Sequence, residues 1–286
     1  MLQKITVLLE MIKFKLTVFA MPFAFMGAFL ADRGVPDGRT FLLVVLAMVG
    51  ARTCAMGFNR IVDAKFDAAN PRTADRAIPA GTVSVFEAWS LVIISGILFF
   101  FVAWSLNPLT LTLAPFALGL TLFYSLTKRF TSFCHLVLGV ALAFSPLGGW
   151  VAVQGSLNGY PWALSAGVLF WVAGFDTVYA CLDADFDRKA GLYSMPSLLG
   201  QRNAFRLAAF FHVIAFVLFA VTGTQARLNL VYFAGVLVTA CILFYQHIIV
   251  NLNDLSRIKG TFFSMNGIIS MVLFAATWLS LVVEKI

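Results

Sequence analysis

The stretch FLLVVLAMVGARTCAMGF, residues 41–58, is one of a series of apolar runs about 20 residues long, the length at which a helix crosses the hydrocarbon core of a bilayer. A chain in lipid must pair every backbone polar group internally, so it spans as helices or as a closed barrel. The runs show no alternation of polar and apolar residues, so helices are expected. Nine spans can be read, at roughly 14–31, 41–58, 86–105, 108–125, 133–153, 160–180, 204–223, 229–250 and 262–282. Composition agrees: 61% of the 286 residues are hydrophobic, 12% are charged and 30 are Phe, more apolar surface than a water-soluble core of this size absorbs. The expected fold class is all-α, a polytopic membrane protein in a single domain over 1–286.

Loop charges orient the spans. Lys4, Lys13, Lys15, Arg60, Lys65, Arg72, Arg76, Lys128, Arg129, Arg188, Lys189, Arg202, Arg206, Arg257 and Lys259 fall on the side shared with the N-terminus, against Arg33, Arg39, Arg227 and Lys285 on the other. That asymmetry places the N-terminus in the cytoplasm and the protein in the cytoplasmic (inner) membrane. The opening MLQKITVLLEMIKFKL has charges throughout and no cleavage motif, and reads as an amphipathic segment at the interface. Cys54, Cys134, Cys181 and Cys241 form no C-x-x-C pair and read as reduced packing residues. No nucleic-acid motif is present, and basic loops facing anionic lipid account for the net charge of +7.

Two even-numbered spans end in acids on the cytoplasmic side. GFNRIVDAKFD carries Asn59, Asp63 and Asp67 at four-residue spacing, one face of a helix; VYACLDADFD repeats the pattern with Asp183 and Asp187. Stacked carboxylates repel unless a positive charge lies between them. A single D-x-x-x-D at a helix end is often merely solvated. Here eight of the thirteen acids (Asp63, Asp67, Asp75, Glu87, Asp176, Asp183, Asp185 and Asp187) crowd into two stretches, and ionisable groups near membrane depth mark sites. The matching of Asp63, Ala64, Phe66 and Asp67 to Asp183, Ala184, Phe186 and Asp187 suggests two parallel pseudo-repeats, roughly 14–130 and 133–250, facing each other.

Carboxylates without His or Cys suit a hard cation, and Mg²⁺ takes one or two of them together with substrate phosphates. The bases nearby (Arg72, Arg76, Lys128, Arg129, Arg188 and Lys189) suit the phosphates. A charged mouth above a Phe- and Met-rich interior fits an isoprenyl diphosphate. Loss of diphosphate would leave an allylic cation that aromatic faces such as Tyr124, Phe23 and Phe58 could shelter. Arg52, two turns before Asn59, either reaches the site or pairs with a structural carboxylate. His135, His212 and His247, isolated in apolar runs or at their edges, read as packing or interfacial groups.

These motifs resemble the UbiA superfamily of intramembrane aromatic prenyltransferases. NRIVDAKFD is similar to its first aspartate motif, N-D-x-x-D-x-x-x-D, and DTVYACLDADFD to its second; NPRTADRAIPAG and YSLTKRFT match the stretches that follow each even helix. The resemblance spans nearly the whole chain. It implies about nine helices around a central cavity capped by cytoplasmic loops. It implies Mg²⁺ on Asn59, Asp63, Asp67, Asp183 and Asp187, with the four acids catalytic, and diphosphate on Arg72, Arg76, Lys128 and Arg129. Asp176 and Tyr179 belong to the second motif. Arg60 stands where many members carry Asp, which removes one acid and offers one more cation to phosphate. The implied reaction moves a polyprenyl group onto a small aromatic acceptor, with 4-hydroxybenzoate for ubiquinone the first choice and a naphthoate for menaquinone the alternative. A CDP-alcohol phosphotransferase is excluded by spacing, since no upstream D-x-x-D-G precedes Ala51-Arg52. A cation-coupled transporter is the alternative of another class.

Overall fold

The computed structural model describes residues 2–250 and 263–284. All regular structure there is helical: α1 (Leu2–Met11), α2 (Phe14–Asp32), α3 (Gly38–Val62), α4 (Ala64–Ala69), α5 (Val85–Leu106), α6 (Pro108–Thr127), α7 (Cys134–Gln154), α8 (Trp162–Ala180), α9 (Ala184–Lys189), α10 (Met195–Leu199), α11 (Gln201–Gln225), α12 (Leu230–Ile249) and α13 (Phe263–Val283), with a single 3-10 turn at Cys181–Asp183. Eight of these helices are long and apolar enough to cross a membrane, and α2, apolar over Met21–Asp32, accounts for the ninth expected span. Arg257, Lys259 and Lys285, three members of the loop-charge count, lie outside the described residues.

Polar residues in the connections start the helices. Asp37 accepts from the Arg39 and Thr40 N–H groups at the head of α3. Ser84 and Glu87 form a reciprocal capping box on α5. Asn107 caps α6 by accepting from the Thr110 N–H, with Pro108 in the first turn. Each supplies partners to backbone donors that a helix leaves open at its N-terminus.

Neighbouring spans touch in the order α3, α5, α6, α7, α8, α11, α12, α13, α2 and back to α3, and α2 also crosses to α7. The α2–α7 contact divides this ring. On one side Trp171, Phe219, Tyr232, Ile269 and Leu273 belong to a filled core. On the other, α3, α6 and α7 splay around a cavity of about 470 Å³. Large apolar side chains that face outward, such as Phe86, Ile94, Trp104, Phe116 and Phe244, meet lipid instead of water.

In lipid there is no hydrophobic force between helices, so close backbone approach does the holding. Gly149 of α7 lies so near α2 that a Cβ there would sit 1.9 Å from the Ala24 carbonyl oxygen, and Gly27 of α2 meets the Pro146 carbonyl at the same distance. A methyl group at either position must push two spans apart. Gly149→Ala is therefore expected to lower thermal stability in detergent by about 1–3 kcal/mol. Gly119→Ala, on an exposed helix face with nothing within 4 Å, should leave the melting temperature unchanged or raised.

Candidate active site

Both acidic motifs lie where a membrane span breaks and a six-residue helix restarts. α3 ends at Val62 and α4 begins at Ala64, with Asp63 at the joint; the turn ending at Asp183 joins α8 to α9 in the same way. The breaks bring Asp63, Asp67, Asp183 and Asp187 from two chain segments to one mouth of the cavity. Lys13, Arg60, Arg72, Arg76, Lys128 and Arg129 line the same mouth, six cations against four carboxylates.

Each acid is already held by a base. Asp67 receives Arg76 Nη1 at 2.7 Å on both oxygens, with Arg60 4.0 Å away. Asp183 pairs with Arg72, through Nε to Oδ1 at 2.7 Å and Nη2 to Oδ2, and accepts from Asn70 Nδ2 at 3.1 Å. Asp187 receives Lys128 Nζ at 3.3 Å, and Asp63 receives Arg129 Nη2 at 3.0 Å. Asn59 donates to Asp63 at 2.8 Å and accepts from Arg60 at 3.3 Å. Burial works against the charges of Arg72 and Lys128, but Asp183 and Asp187 outweigh it and hold both above their ordinary pKa values. Burial pushes the Asp63 carboxyl up, and Arg129 opposes the shift without cancelling it.

No three acidic, His or Cys side chains converge on one point among the described residues. The acids stand opposite one another with bases between them. Their donor set of carboxylate and amide oxygens suits a hard cation such as Mg²⁺, and none of these donors is sulfur or imidazole. Asn59, Asp63 and Asp67 from one side and Asp183 and Asp187 from the other are the residues that could hold it. The bases they release could then turn to phosphate oxygens.

Below the mouth the cavity becomes apolar, walled by small residues such as Ala47, Ala51, Ala117, Ala141 and Gly148 and by the aromatic side chains of Phe23, Phe99, Tyr124, Phe144, Trp171 and Phe175. Phe23 and Tyr124, two of the expected aromatic faces, line this cavity. Phe58 does not: it packs edge-on against Trp89, 6.0 Å away, and is absent from the cavity wall. Arg188 pairs with exposed Asp185, and Lys189 is exposed, so neither of these bases lines the cavity. Of the eight clustered acids, Asp75 and Asp185 are exposed and Glu87 serves the α5 cap and pairs with Lys4. Tyr179 accepts from Arg72 at 3.4 Å, and that guanidinium lies over its ring. Arg60 is buried, donating to the Met11 carbonyl at 3.1 Å, so it ties the N-terminal helix to the mouth.

Arg52 lines the cavity two turns deeper than Asn59. Among the described residues it forms no ion pair, and its buried Nε has no hydrogen-bond partner. Among the described residues, therefore, no structural carboxylate pairs with Arg52.

A model of the UbiA prenyltransferase family matches residues 20–268. The chain belongs to that family. Among relatives, it is 33% identical over 221 residues to a 4-hydroxybenzoate octaprenyltransferase of Shewanella woodyi, 77% of each chain. It is 30% identical over 253 residues to the Shewanella pealeana enzyme of that name, 88% of this chain and 87% of the relative. A UbiA homologue from Aeropyrum pernix, solved in the apo state, superposes with a TM-score of 0.86 at 34% identity, over 95% of this chain and 98% of that one. A UbiA homologue from Archaeoglobus fulgidus, solved with GPP and Mg²⁺, shares the fold with a TM-score of 0.71 at 20% identity, over 96% and 99%. This UbiA-family chain is therefore a multi-pass membrane prenyltransferase, and the transporter alternative falls.

Two residues of the cavity lining, Asn70 and Lys13, and the partners of three buried or half-buried histidines escaped the sequence. Asn70 sits in NPRTADRAIPAG beside Arg72, and only the fold shows it bonding Asp183. His135 is no packing group but bonds Asp176 at 2.7 Å, and His212 and His247, far from isolated, bond each other at 2.8 Å. Lys13 looked like one more topology charge. Burial, then the repulsion of Arg60, Arg76 and Arg72, lowers its pKa to about 8. A polyanion in the mouth would favour its charged form. Affinity for a prenyl diphosphate should therefore be full below that value and fall as pH rises through it. Titrating the binding of a non-hydrolysable prenyl thiodiphosphate from pH 7 to 9 checks this; in Lys13→Met the inflection should vanish and affinity at pH 7 should drop about tenfold.

Proposed function

We propose that this enzyme transfers a polyprenyl group from an isoprenyl diphosphate to 4-hydroxybenzoate in quinone biosynthesis, with Mg²⁺ held at the mouth by Asn59, Asp63, Asp67, Asp183 and Asp187. The mouth faces the cytoplasm of an inner-membrane protein, in keeping with its basic loops. The two acidic helix breaks, 120 residues apart, also support the reading of two facing pseudo-repeats, roughly 14–130 and 133–250.

The observation that carries the donor is the alternation of four carboxylates with six cations above an apolar cavity. Two cations in excess favour a polyanion, and the greasy wall favours its chain. Arg72, Arg76, Lys128 and Arg129 bind the diphosphate oxygens and stabilise charge that grows as the C1–O bond breaks. Bound Mg²⁺ supplies Lewis-acid assistance to that departure. The faces of Phe23, Tyr124 and Trp171 exclude water from the allylic cation and attract it.

The acceptor is carried by Arg52. A guanidinium in the apolar part of the cavity, without a carboxylate of its own among the described residues, calls for an anion on the ligand. A benzoate carboxylate supplies one, and so does a naphthoate. The Shewanella relatives bear the name of the benzoate reaction.

Purified protein in lipid nanodiscs, given a prenyl diphosphate and 4-hydroxybenzoate, should form prenylated hydroxybenzoate with Mg²⁺ and none with chelator. Asp63→Asn and Asp183→Asn should each reduce turnover by at least about 100-fold. Arg52→Leu should raise KM for the acceptor by about tenfold or more while leaving KM for the diphosphate near that of the wild type. Product only with a hydroxynaphthoate would move the acceptor and keep the chemistry. Absence of transfer to either acceptor would refute the reading.

A further inference from the structure

Asp176 has no place in the metal and diphosphate assignments, yet the fold treats it with care. It lies on α8 seven residues before Asp183, about 10 Å deeper by helix rise, and its side chain faces the cavity. Arg52 lies on α3 eleven residues before Asp63, the residue that matches Asp183, so by helix rise it reaches the cavity about one turn deeper than Asp176. Tyr124 lines the wall there as well.

Only one hydrogen bond to Asp176 is present among the described residues: its Oδ2 meets His135 Nδ1 at 2.7 Å. His135 is completely buried in the first turn of α7. Its other nitrogen, Nε2, accepts the Met195 backbone N–H at 3.3 Å, at the start of α10. A ring nitrogen that accepts from an amide cannot carry a proton itself. The imidazole is therefore neutral with its proton on Nδ1, and that proton is donated to Asp176. One oxygen of the carboxylate is fixed, and the other is left for the cavity. This is the base-and-orienter geometry by which a proton acceptor is held ready.

We propose that Asp176 is the general base that takes the hydroxyl proton of the aromatic acceptor, and that His135 is its positioning residue. The inference rests on the aromatic-acceptor reading above. With the acceptor's carboxylate on the deeper Arg52, its hydroxyl, at the opposite end of the ring, points back toward the mouth and Asp176. Asp176 removes the hydroxyl proton as the ring carbon ortho to that oxygen bonds to C1 of the prenyl group. The C1–O bond breaks, and its electron pair leaves with diphosphate. The new ring carbon then loses its hydrogen as a proton to a diphosphate oxygen. As the ring regains aromaticity, the proton on Asp176 returns to the hydroxyl oxygen.

The test compares wild type, Asp176→Asn, His135→Leu and His135→Gln on 4-hydroxybenzoate and on 3-fluoro-4-hydroxybenzoate, at a pH where only the fluorinated hydroxyl is largely ionised. Binding of a prenyl thiodiphosphate reports folding of each variant. With 4-hydroxybenzoate, Asp176→Asn should lose about 10²- to 10⁴-fold in kcat, the usual contribution of a general base. With the pre-ionised acceptor most of that loss should disappear. His135→Leu should show a smaller loss with the same acceptor dependence. His135→Gln, whose amide can donate to Asp176 and accept from Met195, should recover most of the wild-type rate.

An equal loss on both acceptors would overturn the base assignment, and so would a loss confined to KM for the prenyl diphosphate. If Asp176→Asn fails to bind the thiodiphosphate, the His135 pair decides: Leu and Gln variants indistinguishable on both acceptors would overturn the proposal. If wild type itself prenylates neither acceptor, the aromatic-acceptor reading has failed and this inference with it, an outcome separate from the variant patterns.

Discussion

The mouth of this protein depends on charge compensation between two chain segments that meet only in the folded state. Asp67 is held by Arg76 and approached by Arg60, all within one segment, whereas Asp183 is held by Arg72 and Asn70, more than 110 residues away. Asp187 and Asp63 are held by Lys128 and Arg129 from the end of α6 and the turn after it. Bringing carboxylates together at the edge of a bilayer is costly, and leaving one partner of a buried pair alone costs about 3–5 kcal/mol. The network therefore ties α3, α6 and α8 to one another at the place where no apolar packing could. It also leaves the mouth ready for exchange. A cation that takes the acids frees the bases for phosphate, and a phosphate that takes the bases frees the acids for a cation. Each ligand lowers the cost of binding the other, and the coupling is reciprocal by thermodynamic necessity.

Lipid sets the remaining design. Where spans must touch, glycine lets backbones meet, as at Gly27 and Gly149 between α2 and α7. Where they must part, the wall of α3, α6 and α7 is built from alanines that leave room for a chain. The same residue economy that packs one half of the ring opens the other. The cavity stays apolar along its walls because the polar groups are concentrated at its mouth, with Arg52 and Asp176 the charged exceptions below.

Much of this was legible in the sequence because span length and charge are one-dimensional properties. All nine expected spans fall on helices, and the expected ends lie within a few residues of the observed ones, because a bilayer imposes one length on every crossing. Asn59, Asp63, Asp67, Asp183, Asp187, Arg72, Arg76, Lys128 and Arg129 all line one cavity, because charges at span ends on one side of the bilayer are gathered there by the topology, although the helices break at Asp63 and Asp183 instead of running on as one face. What stayed hidden was anything defined by a partner far along the chain. Phe58 and Phe23 look alike in a string of apolar letters, yet one packs on Trp89 and the other faces the cavity. His135 gave no signal because its meaning lies in Asp176, 41 residues on, and in a backbone amide of α10. Lys13 was submerged in a topology count that needs only the sign of a charge.

The depth of the charges orders the chemistry. In the proposed function diphosphate and metal bind at the mouth, where water and ions arrive and where bases outnumber acids. Farther down, Asp176 stands seven residues before Asp183 and Arg52 eleven residues before the matching Asp63, about one turn deeper. A ligand bearing a carboxylate at one end and a hydroxyl at the other is matched by that pair in sign and in chemistry, whereas an alkyl chain is matched by neither. In the proposed function the two substrates are thus sorted by polarity along a single cavity. The reacting carbon of the prenyl chain, bonded directly to diphosphate, has to lie just below the mouth. The aromatic ring, in this proposal held between Arg52 and Asp176, lies beside that carbon. The internal similarity of the two motifs then has a physical consequence: helices that break at matching residues carry their deeper charges into one cavity, Arg52 about one turn below Asp176, and in the proposed function that offset suits a ligand whose carboxylate lies deep and whose hydroxyl faces the mouth.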